Sequence, residues 1–215
     1  MMELYDAMSS LRAVRRLRPD PIDTVTLERI YQAAIWAPTG GNVQPWRLVA
    51  VTDAAKKLAL AALYAPRWKD YSANYRERID HLGEDAKARA ERTLDAGDHL
   101  AANMGQVPVI AVFCFNPSLM AMTDSEQARP TVVGGGSVYP AVQNLLLACR
   151  SEGVGCVLTT LLCMDEPAVK ELLGMPEDWY TCAHVPMGYP VGGGYGPINR
   201  RPVAKMVYRN AWGSS

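Results

Sequence analysis

The sequence predicts an α+β protein in which one sheet is flanked by helices. Two observations support this class: apolar residues recur at helical spacing in several segments, and short runs of β-forming residues separate them without a regular βαβ rhythm. The clearest buried strand is "VPVIAVFCF" (107–115). The 215 residues suffice for one domain with a substantial core, and no repeat or linker divides them, so residues 1–215 are predicted to form a single domain.

The first half of the chain predicts helix, strand and helix in turn. Asp23 or Thr24 is placed to cap a helix whose apolar residues recur at helical spacing until Pro38 stops it. "WRLVAVT" (46–52) is rich in β-forming residues and predicts a strand. Residues 53–64 then return to a helical pattern behind an aspartate cap.

The second half predicts a series of elements punctuated by glycine. A glycine-rich loop (131–138) leads into a helix that Gly153 ends (139–153), and a strand follows (154–160). A short helix with an acidic first turn (165–174), a last strand (181–190) and an extended tail (191–215) complete the chain.

Between these halves, residues 65–105 are polar and charged and show a loose helical pattern. Tyr64, Trp68, Tyr71 and Tyr75 recur at steps of four, three and four, which places an aromatic stripe on one helix face. The stripe is either part of the core or the ligand-facing surface of an active-site lid that covers a flat molecule. The pattern alone leaves both interpretations open.

Composition excludes several classes of protein. The 22 basic and 22 acidic side chains cancel, which argues against a general nucleic-acid or membrane-surface binder. The five cysteines form no CxxC pair and the three histidines lack ligand spacing, so no metal site is predicted and the thiols are expected to be buried and reduced. No apolar run is long enough to span a membrane and the start lacks a signal-peptide core, so we expect a cytoplasmic protein.

Two segments carry the chemistry. "RAVRRLRPDP" (12–21) puts four arginines, at 12, 15, 16 and 18, into seven positions. "APTGGNVQPWRLV" (37–49) combines a glycine turn with side-chain amides, groups that suit the hydrogen-bonding edge of a planar heterocycle. No GxGxxG fingerprint in the required context, phosphate loop, GxSxG elbow or defensible Ser/His/Asp set accompanies them, which favours chemistry supplied by a cofactor.

The two segments together resemble the FMN-dependent nitroreductase family. The pattern is R-x-x-R-R-hydrophobic, followed about twenty residues on by AP-[ST]-GG-N-x-QPW-[RH]. Further similarities run nearly the full length: "AVQNLLLACRSEGVG" (141–155), "VLTTLL" (157–162), "VPMGYP" (185–190) and "NRRPVAKMV" (199–207). Segment 65–135 fits least well.

The resemblance implies a nitroreductase-like fold: a central mixed, mostly antiparallel sheet flanked by helices, in an intertwined homodimer with FMN at the interface. It implies that Arg12 and Arg15 hold the FMN phosphate with Arg200, and that Thr159 and Thr160 lie near flavin N5. The glycine turn would approach the ring from the second subunit. The implied cofactor-binding set is Arg12, Ala13, Arg15, Pro38, Thr39, Gly40, Gly41, Asn42, Thr159, Thr160, Leu161 and Arg200.

The chain departs from the family pattern at its start, where Leu11 and Ala13 stand in place of an outer arginine and a serine. The phosphate is therefore expected to have about three contacts. The paired threonines are closer to the deiodinase and flavin-fragmenting branches than to enzymes with a Glu-Gly pair at this point. Segment 64–85 shows no convincing Glu, Tyr and Lys set for a halotyrosine.

The implied function is an oxidoreductase in which NAD(P)H reduces FMN and the flavin then reduces a flat acceptor by a ping-pong mechanism. The acceptor would be a small nitroaromatic, quinone or enone, and the flavin rather than a catalytic side chain would do the chemistry. Alternatives are an oxygen-dependent flavin-fragmenting enzyme, a reductive dehalogenase, a non-catalytic flavin-binding module, or a protein without flavin.

Overall fold

The central feature of the computed structural model, which describes residues 2–196 and 198–214, is a four-stranded sheet. Its order is β1-β2-β4-β3, and all three pairings are antiparallel. The prediction of a mostly antiparallel sheet within an α+β fold is confirmed. The strands are β1 (Trp46–Val51), β2 (Val109–Phe115), β3 (Gly155–Cys156) and β4 (Tyr180–Gly188).

Among the described residues, six α-helices accompany the sheet: α1 (Leu4–Ser10), α2 (Thr24–Ile35), α3 (Ala54–Ile79), α4 (Glu84–Asn103), α5 (Tyr139–Ser151) and α6 (Glu166–Leu173). The predicted aspartate caps are present. The Asp23 carboxylate accepts a hydrogen bond from the backbone N–H of Thr26 at 2.9 Å, and the Asp53 carboxylate accepts one from the backbone N–H of Lys56 at 2.8 Å. Gly174 ends α6 in the left-handed region at φ 66°. Within the described ranges, no helix has the length and apolar character that crossing a bilayer requires.

Alternation along β2 explains why helices cover both faces of the sheet. Ile110, Val112 and Cys114 pack on one side with side chains of α3, α4 and α6. Val109, Ala111 and Phe113 pack on the other side with those of α2 and α5. Because successive strand residues point to opposite faces, a strand that is apolar throughout needs a helical layer on each.

The helix predicted at 53–64 is longer than expected, since α3 continues through Pro66 to Ile79. Proline removes one backbone donor from a helix, so the continuation depends on tertiary contacts. Trp68 supplies them: its indole Nε1 donates to Asp98 of α4 at 2.7 Å, and its ring packs against Gly97. Most of the polar segment 65–105 therefore forms an α3–α4 hairpin.

The strand predicted at 154–160 is wrong in length, because only Gly155–Cys156 form a ladder with β4. Pro186 of β4 lies opposite Val157 and has no N–H to return a hydrogen bond, so pairing lapses there. The chain regains the sheet at Thr159, which exchanges two backbone hydrogen bonds of 2.9 Å with His184.

Candidate functional site

A cavity of about 220 Å³ lies between α3 and the chain that follows β3. It brings together seven of the residues singled out from the sequence, which are far apart along the chain. They are Arg15, three members of the aromatic stripe (Tyr64, Trp68 and Tyr71) and three residues of the "VLTTLL" segment (Thr159, Thr160 and Leu161). Val157 and Leu158 complete the lining.

Arg15 provides the positive charge of this cavity. Burial is the main cause that lowers the pKa of its guanidinium, and the charge of Arg12 adds to the effect. In the part of the chain that the structure describes, Arg15 forms no ion pair with a carboxylate. A half-buried cation without an anionic partner is costly, so this position is suited to an external anion such as a phosphate.

Tyr64 and the two threonines form the wall beside Arg15. Tyr64 is buried, which raises the pKa of its hydroxyl, and the neighbouring side chain of Thr159 partly offsets that effect. The Thr159 hydroxyl accepts the amide of Leu161 at 3.4 Å. Thr159 is thereby fixed, while Thr160 next to it is exposed and faces the cavity.

An ion pair holds α3 against this wall. Arg67 donates from Nε and Nη2 to the two carboxylate oxygens of Asp165 at 2.7 and 2.6 Å. Asp165 ends the short 3-10 segment Leu161–Asp165 that follows the threonines. Sequence reasoning missed this pair, because 98 positions separate its members and no local pattern joins them.

The aromatic stripe is divided between core and surface. Tyr64 and Trp68 are buried, whereas Tyr71 is 52% and Tyr75 38% exposed. Tyr71 and Tyr75 stack with an interplanar angle of 6° and ring centroids 6.5 Å apart. The buried end is therefore part of the core as well as of the cavity wall, and the exposed end offers flat ring surface beyond it.

The glycine turn lies elsewhere, against the segment Val133–Ser137. The backbone N–H of Gly40 donates to the Ser137 hydroxyl at 3.0 Å, and the backbone N–H of Gln44 donates to the Thr39 hydroxyl at 3.1 Å. Ser137 was not anticipated from the sequence. Pro38, Gly40, Gly41 and Asn42 are exposed and do not line the Arg15 cavity within the described chain.

The remaining members of the implied set, Arg12, Ala13 and Arg200, are also exposed and lie outside the lining of this cavity. The Arg12 guanidinium lies against Gly196, where an added Cβ would stand 3.3 Å from Nη1. Arg200 donates to the carbonyl of its neighbour Asn199 at 2.9 Å. A single chain thus assembles only part of the implied site.

His184 is a buried polar residue whose backbone supports the site. Its ring is inaccessible to solvent, and neither ring nitrogen has a hydrogen-bond partner among the described residues. Burial lowers its pKa to about 4, so the imidazole is neutral in the folded protein at neutral pH. The described residues contain no group of three His, Cys, Asp or Glu side chains placed to hold a metal ion.

Fold and site together describe an α+β protein in which a half-buried arginine and a threonine pair line one cavity beside an antiparallel sheet. A sequence profile described as "Nitroreductase family" matches residues 9–189. The chain therefore belongs to the Nitroreductase family, and the resemblance drawn from its arginine and QPW motifs is confirmed.

Two curated relatives are similar over most of their length. A protein named NADH dehydrogenase from Thermus thermophilus is 32% identical over 208 residues, which cover 96% of each chain. A 5,6-dimethylbenzimidazole synthase from Rhodobacter capsulatus is 32% identical over 189 residues, covering 87% of this chain and 83% of the relative.

Among solved structures, oxidised iodotyrosine deiodinase bound to FMN and 3-iodo-L-tyrosine superposes with a TM-score of 0.69. The two chains are 22% identical, and the superposition covers 97% of this chain and 99% of the other. At that identity, the similarity establishes the shared fold alone.

Proposed function

We propose that this protein is an FMN-dependent oxidoreductase that passes electrons from NAD(P)H to a flat small-molecule acceptor. The observation that carries the proposal is Arg15, a half-buried guanidinium that has no carboxylate partner among the described residues, in a cavity walled by aromatic rings and two threonines. Family membership and a relative named NADH dehydrogenase support the same activity.

The residues present fit FMN in their chemistry. The guanidinium of Arg15 suits the phosphate, since Arg forms charge-assisted, bidentate hydrogen bonds with such oxygens. Arg12 and Arg200 are proposed to join it, and the hydroxyl of Thr160 offers a hydrogen bond to the ring edge. The rings of Tyr64 and Trp68 exclude water from one side of the site.

The cavity of one chain is too small to be the complete site. Its volume of about 220 Å³ lies below the range of roughly 300–1,000 Å³ that is typical of small-molecule pockets. We propose that a second copy covers the rest of the cofactor with its exposed turn Pro38–Asn42. The protein would then be a homodimer with two composite sites.

Three surfaces support a dimer. An apolar groove of about 390 Å³ lies between α1, α2 and α5, beside Trp36, which is 74% exposed. A second groove between α2 and β1 leaves the Tyr31 hydroxyl and the Trp46 indole N–H buried without a partner among the described residues. The third surface is the outer edge of β1, which pairs with no strand among the described residues. Proteins usually cover such an edge, and a second copy would do so.

FMN would supply the two-electron chemistry when bound, while the chain binds, orients and shields it. For a nitroaromatic acceptor, each NAD(P)H gives up a hydride and becomes NAD(P)⁺. The nitro group gains those two electrons with two protons, one of them from solvent, and loses one oxygen as water to become a nitroso group. This balance requires no catalytic acid or base beyond water.

The direct test is purification of the protein, followed by absorbance in the flavin bands and titration with FMN. We expect a yellow protein, or a colourless one that binds added FMN, and parallel double-reciprocal plots for NAD(P)H and a nitroaromatic acceptor. A protein that binds no FMN would refute the proposal. Bound FMN without NAD(P)H oxidation for any acceptor would instead identify a flavin-binding module.

A second candidate is oxygen-dependent fragmentation of reduced FMN, which the similarity to 5,6-dimethylbenzimidazole synthase favours. Incubation of the protein with reduced FMN and oxygen separates the two candidates. Formation of 5,6-dimethylbenzimidazole would establish fragmentation, whereas simple reoxidation of the flavin would leave the acceptor reductase as the supported function.

A further inference from the structure

A second cavity of about 380 Å³ adjoins the first through Thr160, which lines both. Its walls come from the ends of β2 and β4, the start of α5 and the loop between β2 and α5. Its volume alone is within the range of small-molecule pockets. Its lining includes Phe115, Met120, Met122, Tyr139, Cys163 and Cys182.

The lining of this cavity contains sulfur and aromatic groups but no charged side chain. Two methionines, two cysteines, Phe115 and Tyr139 are six of its twelve lining residues. Thioethers are polarisable and make favourable contacts with aromatic rings, so such a surface accommodates flat apolar molecules of varied shape. An ion would lose its hydration there without gaining a charged partner, which is unfavourable.

The loop that carries the methionines is held in place by its own polar contacts. Asp124 is buried and accepts hydrogen bonds from Arg129 at 2.7 Å and from the Thr131 hydroxyl. At the start of the loop, Asn116 donates to Asp178 at 2.7 Å. Gly134 lets Met122 approach closely, since a Cβ there would stand 2.6 Å from the Met122 methyl. The thioethers are thus directed into the cavity by a fixed loop.

From these features we infer that the sulfur-lined cavity receives the acceptor and selects an uncharged aromatic molecule over a charged one of the same shape. That this cavity receives the acceptor rests on the proposed function, because the proposed cofactor cavity and the acceptor cavity meet at Thr160. The selectivity itself follows from the charge-free lining and is measurable without turnover.

The test uses the isosteric pair 4-nitrobenzamide and 4-nitrobenzoate, which differ in charge but hardly in shape. Equilibrium dialysis against the purified full-length protein is expected to show the amide bound about tenfold more tightly than the benzoate. The Met120→Lys variant places a cation in the lining and is expected to reverse this preference. Met164→Lys is the matched control, since Met164 is exposed and lies outside the lining.

The outcomes separate the inference from the proposed function. Equal affinities for the two compounds in the wild-type protein would overturn the inference, as would a preference that Met120→Lys leaves unchanged or Met164→Lys shifts equally. Selective binding without NAD(P)H-dependent reduction of the amide would refute the acceptor role of this cavity while leaving its selectivity established, whereas the reductase proposal fails only if NAD(P)H is not oxidised with any nitroaromatic, quinone or enone. The wild-type comparison remains decisive even if Met120→Lys fails to fold.

Discussion

At the scale of single residues, Arg15 differs from the other arginines of its cluster in its surroundings. Arg18 is exposed, pairs with Asp20 at 3.5 Å and lies over the Tyr189 ring. We expect Arg15→Ala to weaken FMN binding by about 1.5–3 kcal/mol, the usual scale for a hydrogen bond to a charged group. Arg18→Ala should leave the affinity unchanged. Fluorescence titration with FMN measures both, and equal affinities for the two variants would place the phosphate elsewhere.

His184 predicts a pH dependence of stability. Its pKa falls from 6.5 when unfolded to about 4 in the fold, so the unfolded chain binds more protons between those values. The free energy of unfolding should therefore fall as the pH drops from about 7 to 4, by up to about 3 kcal/mol from this residue. Urea denaturation across that range is the measurement.

The effect is isolated by comparing how the free energy of unfolding depends on pH in His184→Leu and in His81→Leu. His81 is exposed and serves as the control. The first variant should flatten the acid side of the stability profile, because the leucine has no proton to bind. The second should keep the wild-type slope. A profile of unchanged slope in His184→Leu would assign the acid sensitivity to carboxylates instead.

The sequence predicted residues that belong to local motifs and missed those defined by distant contacts. The arginine pattern and the glycine turn are contiguous, so a short segment was enough to single them out. Ser137 and the Arg67–Asp165 pair have meaning only after folding brings distant segments together. No spacing rule within one segment could have indicated them.

At the scale of elements, the α3–α4 contact depends on Gly97. A Cβ at this position would stand 2.0 Å from the Trp68 ring, which its bond to Asp98 holds in place. Alanine improves helix propensity by about 1 kcal/mol, but overpacking typically costs about 1–3 kcal/mol and more for so close a contact. We expect Gly97→Ala to lower the free energy of unfolding by about 2 kcal/mol.

Chemical denaturation of Gly97→Ala beside Gly193→Ala checks this prediction. An added Cβ at Gly193 meets no atom within 4 Å, so that variant should be nearly neutral. Equal stability of the two variants would show that Trp68 moves aside freely, and the hairpin would then be less tightly packed than described.

Element prediction succeeded where the determinants are local. Asp23 and Asp53 cap helices through residues three positions on, and the glycine that ends α6 acts at its own position. The strand predicted at 154–160 failed because its length depends on Pro186 in another strand. The predicted end of the helix at residue 64 was wrong because tertiary contacts outweigh the effect of Pro66 within α3.

At the scale of the whole molecule, the proposed dimer makes the cofactor site and the interface interdependent. We expect a sedimenting mass twice the 23.5 kDa of one chain. Leu147→Glu, in the groove between α1, α2 and α5, should give a monomer that also loses FMN affinity, because burying a carboxylate there is costly.

Leu82→Glu serves as the control, since Leu82 is exposed at the turn between α3 and α4 and outside the groove. It should remain dimeric with unchanged FMN affinity. Analytical ultracentrifugation and FMN titration of both variants test the coupling. A monomeric Leu147→Glu that still binds FMN with wild-type affinity would show that one chain forms the whole site.

The full set of site residues was predicted only through the family resemblance. The structure of one chain brings Arg15 to the threonines but leaves the glycine turn against Ser137, outside that cavity. Residue patterns identify groups suited to a cofactor, yet they carry no information about which groups meet within one chain and which meet across two.

The glycine turn has a consequence for how the protein can be improved or evolve. Asn42 and Gln44 adopt φ of 55° and 49°, a left-handed backbone that costs roughly 1–2 kcal/mol for Gln44 and less for Asn42, because asparagine tolerates this region. Glycine at either position would relieve that strain and raise the melting temperature. It would also remove an amide side chain from the turn that we propose to cover the cofactor, so under that proposal selection for thermal tolerance and selection for turnover would favour different residues at these two positions.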